Sequence, residues 1–322
     1  MRIGVGVLAR ELAKTPFAVV DLETTGLSPQ YDRIVEIAIV VLRPGQEPEL
    51  VLDTLVNPER SMAGTEFHGI TAADVQGAPA FGTIAPVVAS ALAKRVIASH
   101  NAAFDMGLLG GELSRAGYPS ILPHVCTMML PRLGDSEYPR LSLKHACVRH
   151  SIEPGTAHSA ASDALAAAAL LKRYIGWLRR IGVRTFGDLR GRQHNYEFLG
   201  SLDERPLPAP PTIHGTAGLK PRRKGSAKAP ARGVATYLEA VLEVVADLHV
   251  TDEELAYVSA LREDLVIEPA TVRAVHAKVF WAMLGRYVED TSIDVGEAHH
   301  LSRLHAVLER LGWAPGQGII EG

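Results

Sequence analysis

Apolar residues fall in short β-branched blocks through the first third of the chain and in helix-spaced groups after it. Ala18 to Glu23, Arg33 to Leu42 and Pro48 to Val56 are such blocks, separated by turn-forming residues, and they predict three successive strands in a meander. Val96 to Ser99 predicts a fourth strand. Helical spacing predicts helices over about Ala80 to Lys94, Ala103 to Ala116, Leu141 to His150 and Ser159 to Arg179, the last of them rich in Ala. This order defines an α/β region with a mixed sheet flanked by helices. Beyond residue 233 the pattern is helical only. Residues 234–312 carry a repeat at a spacing of 43, pairing Asp247 with Asp290, Glu254 with Glu297, Leu261 with Leu304 and Leu265 with Leu308. A duplicated helical hairpin packed into a small all-α bundle accounts for it.

Composition separates the two regions. Pro206, Pro208, Pro210 and Pro211 precede a stretch with Lys220, Arg222, Arg223, Lys224, Lys228 and Arg232 and no acidic residue from 219 to 232, so the formal net charge of −3 hides a local excess of positive charge. Such a segment buries too little apolar surface to order itself, and 204–232 reads as a linker. Its basic part suits nucleic acid phosphates, while a plain solvated spacer is an equal alternative. A chain of 322 residues with 47% hydrophobic content supports more than one core. The expected division is 1–203 (core about 16–178), the linker 204–232, and a helical bundle at 233–322. Cys126 and Cys147 form no C-x-x-C pair, which suits core thiols in a reducing cytosol. No run approaches the roughly 18 apolar residues of a membrane span, and Arg10 and Glu11 interrupt the Met1 to Leu12 stretch, so a cytoplasmic location is expected.

Side chains two apart on a strand share a face, so Asp21 and Glu23 present two carboxylates together at a strand end. The pair alone says little. At this acidic content roughly 4 acidic-x-acidic pairs arise by chance, Asp252 to Glu254 supplies another, and an edge-strand surface pair is a structural alternative. Clustered carboxylates are costly without a cation, and hard oxygen ligands favour Mg²⁺ or Mn²⁺ over zinc. Thr24, Thr25 and Gly26 then permit a tight turn whose backbone can approach a substrate. Asp105 lies in the first turn of a helix starting after Asn101, where the helix dipole alone favours a carboxylate by roughly 0.3–1 kcal/mol. Asn101 and Asp105, four apart, would share a face, with Phe104 anchoring the helix. Asp163 is likewise early in its helix. His158 precedes that helix in a loop after Pro154 and Gly155, which suits a mobile general base with an imidazole pKa near 6.5. Four carboxylates and one histidine fit two-metal phosphodiester hydrolysis, with ions about 3.5–4 Å apart. The chain has no G-x-x-x-x-G-K-[ST] loop, no G-x-S-x-G elbow and no H-E-x-x-H helix. His299, His300 and His305 lack a zinc-ligand spacing and read as helix-surface histidines.

Taken together, Asp21-Leu22-Glu23-Thr24-Thr25-Gly26-Leu27, His68-Gly69-Ile70-Thr71, His100-Asn101-Ala102-Ala103-Phe104-Asp105, and His158 with Asp163 resemble the DEDDh exonucleases, the family of the proofreading epsilon subunit of bacterial DNA polymerase III. The resemblance spans residues about 16–178. It implies an RNase H-like fold with a mixed five-stranded sheet, two Mg²⁺ or Mn²⁺ ions held by Asp21, Glu23, Asp105 and Asp163, and His158 as base. It also implies that Thr24, Thr25, Gly26 and Leu27 border the terminal 3′-nucleotide, with His68, Asn101 and Phe104 in the same pocket. The implied activity is 3′ to 5′ release of nucleoside 5′-monophosphates from nucleic acid with a free 3′ end, single strands preferred, in proofreading or DNA repair. RNA trimming, or a binding role centred on the bundle with a polymerase or other protein as partner, stays open. The helical region resembles TerB-like bundles, whose acidic turns can bind metal; the matching acids here are Asp247, Asp252, Asp290 and Asp294, with Val295 where a calcium loop needs glycine.

Overall fold

The computed structural model describes residues 6–29, 31–62, 64–120, 123–133, 135, 138, 141–153, 159–191, 232–245, 250–287 and 295–316. Five strands form one sheet in the order β3-β2-β1-β4-β5. They are β1 (Phe17–Thr24), β2 (Ile34–Leu42), β3 (Glu49–Leu55), β4 (Val96–Ser99) and β5 (His124–Cys126). The first three strands make an antiparallel meander; β4 then joins β1 in parallel and β5 joins β4 in parallel. The switch from antiparallel to parallel pairing therefore falls at β1. In open α/β sheets such a switch leaves a crevice beyond the carboxyl ends of the strands.

Strand parity decides what faces that crevice. Phe17 and Val19 enter one apolar core, while Ala18, Val20 and Leu22 enter the core on the opposite face. Asp21 and Glu23 continue the Phe17 and Val19 series. Every residue of β2 is buried because both of its faces are covered, which explains its unbroken apolar run.

The helices before the bundle are α1 (Thr65–His68), α2 (Ala72–Val75), α3 (Phe81–Leu92), α4 (Ala102–Arg115), α5 (Leu143–Arg149), α6 (Ala160–Arg180) and α7 (Phe186–Gly191). Helices α3 and α4 cover the core built on Val20 and Ile97. Helix α6 covers the other face, where Ala160, Ala164, Ala167 and Ala168 are all at most 1% exposed. Side chains this small let the helix axis approach β1 and β2 closely. Helix α4 is tied to the start of β2 by Arg33, whose guanidinium grips the buried Glu112 carboxylate bidentately at 2.6 and 3.2 Å. Both cysteines are buried and free, as core packing predicts.

The strand expectations hold to within a residue or two at each end. The residue pattern missed β5, α1, α2 and α7, which are too short to display a period.

The C-terminal region contains α8 (Arg232–Val245), α9 (Asp252–Asp264), α10 (Pro269–Tyr287) and α11 (Val295–Arg310), with a core of its own. The 43-residue repeat maps α9 onto α11. Thr251 and Glu254 cap α9 reciprocally, at 3.2 and 2.8 Å. Tyr237 and His276 meet in this core at 2.9 Å, and His276 Nδ1 donates to the Trp313 carbonyl at 2.6 Å. His305 departs from the surface reading: its Nε2 bonds the Pro315 carbonyl at 3.0 Å and its ring meets Phe280 edge-on. Asp252 pairs with Arg310 at 3.0 Å; Asp247, Asp290 and Asp294 lie outside the described residues, as does the linker to residue 231. Among the described residues no helix is long and apolar enough to cross a membrane.

Candidate active site

The carboxyl end of β1 delivers Asp21 and Glu23 to the α6 side of the sheet, and the first turns of α6 deliver Asp163 to the same place. Ligand oxygens of Asp21, Glu23 and Asp163 all lie within 4.8 Å of one another, the one such group of three or more among the described residues. Asp105 faces the same cavity from the first turn of α4 but stands outside that triplet. It is 4% exposed and receives a hydrogen bond from the buried Ser99 hydroxyl and another from the Leu22 amide.

The electrostatics explain why such a cluster calls for a cation. Burial raises the Asp21 carboxyl well above the usual carboxylate range, and Asp163, Asp105, Glu23 and Glu36 each push it further in the same direction. Burial likewise lifts Asp105 to about 7, against the opposing hydrogen bond from Ser99. A divalent ion would remove the repulsion that these four carboxylates suffer, and their all-oxygen donor set suits a hard metal. The residues therefore fit the ion that the sequence implies.

Glu36 was missed by sequence reasoning. It is fully buried in β2 directly opposite Glu23, and its carboxylate accepts the Ala160 amide at the start of α6 at 3.4 Å. The available signal was a lone acid in the otherwise apolar run Ile34 to Leu42.

The remaining expected residues divide. Thr24, Gly26, Leu27, His68, Asn101 and Phe104 line the cavity with the carboxylates, in a space of about 170 Å³. Thr25 does not line it; the residue is 1% exposed and its hydroxyl donates to Asp32 at 2.9 Å. Gly26 has a reason other than substrate approach: a Cβ there would fall 2.3 Å from an Asp32 oxygen. Asp32 in turn accepts the Ser28 amide at 3.0 Å, so it is the brace of this turn. Gly64, with φ +78°, lets α1 close on the end of β1; a Cβ would meet the Thr24 carbonyl at 2.9 Å. That closure seats the buried His68, whose Nδ1 accepts the Ile70 amide at 3.0 Å. Asn101 precedes α4 with φ 66°, so it reaches the cavity from a left-handed cap rather than from a shared helix face.

His158 lies outside the described residues. His100 lines the cavity but is already committed, with Nε2 donating to the Leu141 carbonyl and Nδ1 bonded to Thr127, both at 2.9 Å. Burial lowers its pKa to about 4. A histidine held this way fixes Leu141, just before Ser142 and the start of α5, and has no nitrogen left to take a proton from water.

Residues 18–171 match the model of the exonuclease family RNase_T. The DNA polymerase III PolC-type protein of Staphylococcus haemolyticus (strain JCSC1435) is 27% identical over 189 residues, covering 58% of this chain and 13% of that protein. The corresponding protein of Latilactobacillus sakei is 33% identical over 156 residues, covering 48% of this chain and 11% of that protein. Among solved structures, Exonuclease X in complex with 5′ overhanging duplex DNA is 26% identical with a TM-score of 0.41, covering 55% of this chain and 99% of that one. This chain thus spans only a small part of the curated relatives' length.

Proposed function

We propose, from the match of residues 18–171 to the exonuclease family RNase_T, that the protein is a Mg²⁺- or Mn²⁺-dependent 3′ to 5′ exonuclease that releases nucleoside 5′-monophosphates from DNA. Proofreading or repair in the cytosol is the role this reading favours, since the matched relatives are DNA polymerase III proteins. The observation that carries it is the convergence of Asp21, Glu23 and Asp163 within 4.8 Å, beside Asp105, in one cavity. A module that only bound nucleic acid would gain nothing from buried carboxylates that repel phosphate.

In this reading Asp21, Glu23, Asp105 and Asp163 hold two divalent ions. Those ions, when bound, supply stabilisation of the attacking and leaving oxygens. Ser99 orients the Asp105 carboxylate, and Glu36 holds the amino end of α6 against the sheet so that Asp163 stays beside β1. His158 takes the proton of the attacking water. Thr24, Gly26, Leu27, His68, Asn101 and Phe104 receive the terminal nucleotide, and Thr25 supports them through Asp32. The chain divides into an exonuclease domain at 1–203, a linker at 204–232 and a helical, TerB-like domain at 233–322.

The test compares 5′-labelled single- and double-stranded DNA and RNA with Mg²⁺ and with EDTA. A metal-dependent ladder shortening from the 3′ end of single-stranded DNA is expected. No cleavage of any substrate in Mg²⁺ or Mn²⁺ would refute the assignment, and cleavage of RNA alone would move the role to RNA trimming.

A further inference from the structure

The helical region does not hang free of the cleft; it crosses it. Leu238 and Leu242 of α8 and Lys278 of α10 line the same cavity as the acidic cluster. Helix α8 packs on α1, the short helix that seats His68. Leu27, which follows the β1 turn, packs against the bundle's core rather than against either core of the sheet. On the other side, the Tyr257 hydroxyl of α9 bonds His145 of α5 at 3.2 Å, with the two rings edge-on at 5.4 Å. Helix α5 follows directly on Ser142, which lines the cavity. The bundle is therefore fastened on both banks of the cleft and forms its roof.

From this placement we propose that the roof is a working part of the substrate site: Leu238 and Leu242 complete, with Leu27, an apolar wall for the sugar and base of the terminal nucleotide, and Lys278 supplies positive charge for its backbone. The proposal rests on the exonuclease reading of the cleft. Its physical basis is complementarity. The floor is acidic and, once neutralised, engages the scissile phosphate. Among the described residues, the apolar part of the floor is Leu22, Leu27, Phe104 and Leu143, and Lys278 is the one Lys or Arg lining the cavity. Nucleotide pockets need both features, apolar contact for the base and sugar and a few placed polar groups for orientation. A roof over the cleft also favours one strand over two, which gives the single-strand preference a structural origin in the bundle.

The experiment uses the full chain. Lys278→Gln, Lys278→Arg and Leu242→Ala are each combined with Asp163→Ala, and binding of a short fluorescent single-stranded DNA is followed by anisotropy across a salt series. Lys278→Gln should weaken binding several-fold and reduce the slope of log K against log salt by about 0.7, the increment for one phosphate contact on a single strand. Lys278→Arg should restore both. Leu242→Ala should weaken binding with the slope unchanged, as loss of an uncharged contact requires. Thermal melts establish that each variant is folded. Identical affinity and slope in Lys278→Gln would overturn the proposal, because the roof would then not touch the strand. Tighter binding in both Lys278→Gln and Leu242→Ala would overturn it in the opposite sense, making the roof an obstruction. Cleavage by the unsubstituted chain in Mg²⁺ is measured alongside: its absence would refute the exonuclease reading, while the binding comparison would still decide the role of the roof.

Discussion

Asp21 and Asp105 are held against their own chemistry, buried among like charges with pKa values above the ordinary carboxylate range, about 7 in the case of Asp105. A carboxyl whose folded pKa is raised stabilises the fold fully below its unfolded pKa near 3.9, and that contribution is lost as pH rises through about 7. A metal must displace these protons, so the gain in melting temperature from Mg²⁺ over EDTA should grow between pH 5 and 8. Thermal melts in the two conditions measure it, and a gain that shrinks with pH would contradict the cation site. For the same reason Asp163→Ala should abolish cleavage while leaving the apoprotein at least as stable, since it removes one of the charges pressing on Asp21. Full cleavage by folded Asp163→Ala protein would refute the ligand assignment. His158→Ala should lower kcat by roughly 10²–10⁴ with Mn²⁺ affinity nearly intact. Single-turnover rates against pH check this, and an unchanged profile would remove His158 as the base.

At the scale of elements, α6 matters most, because it brings Asp163 to a strand more than a hundred residues earlier in sequence. Its buried Ala160, Ala164 and Ala167 set the distance between helix and sheet. Ala164→Leu should therefore cost about 1–3 kcal/mol by overpacking. It should also weaken Mn²⁺ binding by moving Asp163 away from Asp21. Leu165→Ala, on the exposed side, should change neither. Denaturant unfolding and Mn²⁺ titration on the same samples separate the effects; a destabilised Ala164→Leu protein with unaltered Mn²⁺ affinity would mean that helix spacing does not govern the site. The main strands and helices were legible because each is long enough to show its period. Helix α1 and strand β5 were not, with four and three residues, and their positions depend on closure against Thr24 and on pairing with β4.

For the whole molecule, sheet and bundle line one cavity, and the sequence between them carries six basic side chains at 219–232. If the segment at 219–232 tracks the strand beyond the cleft, replacing Lys220, Arg222, Arg223, Lys224, Lys228 and Arg232 by Gln in the full chain should lower the salt slope for long oligonucleotides. Each engaged cation is worth about 0.7–0.9, and short strands that end within the cleft should be unaffected. Coincident slopes on long strands would make the segment a spacer.

What the sequence by itself determined was the local chemistry: Asp21 and Glu23 on one face of a strand, Asp105 and Asp163 in first helical turns, the apolar blocks that build the sheet, and the motif set that matches the exonuclease family. Those features depend on spacings of two to four residues, which backbone geometry enforces wherever the chain goes. Only the tertiary structure decided that Asp163 joins Asp21 and Glu23 while Asp105 is engaged by Ser99, that His100 is spent on Thr127 and Leu141, and that Gly26 makes room for Asp32. It alone placed Leu238, Leu242 and Lys278 over the cleft. Contacts between residues so far apart in sequence are set by which apolar faces pack together, and no local period records that choice.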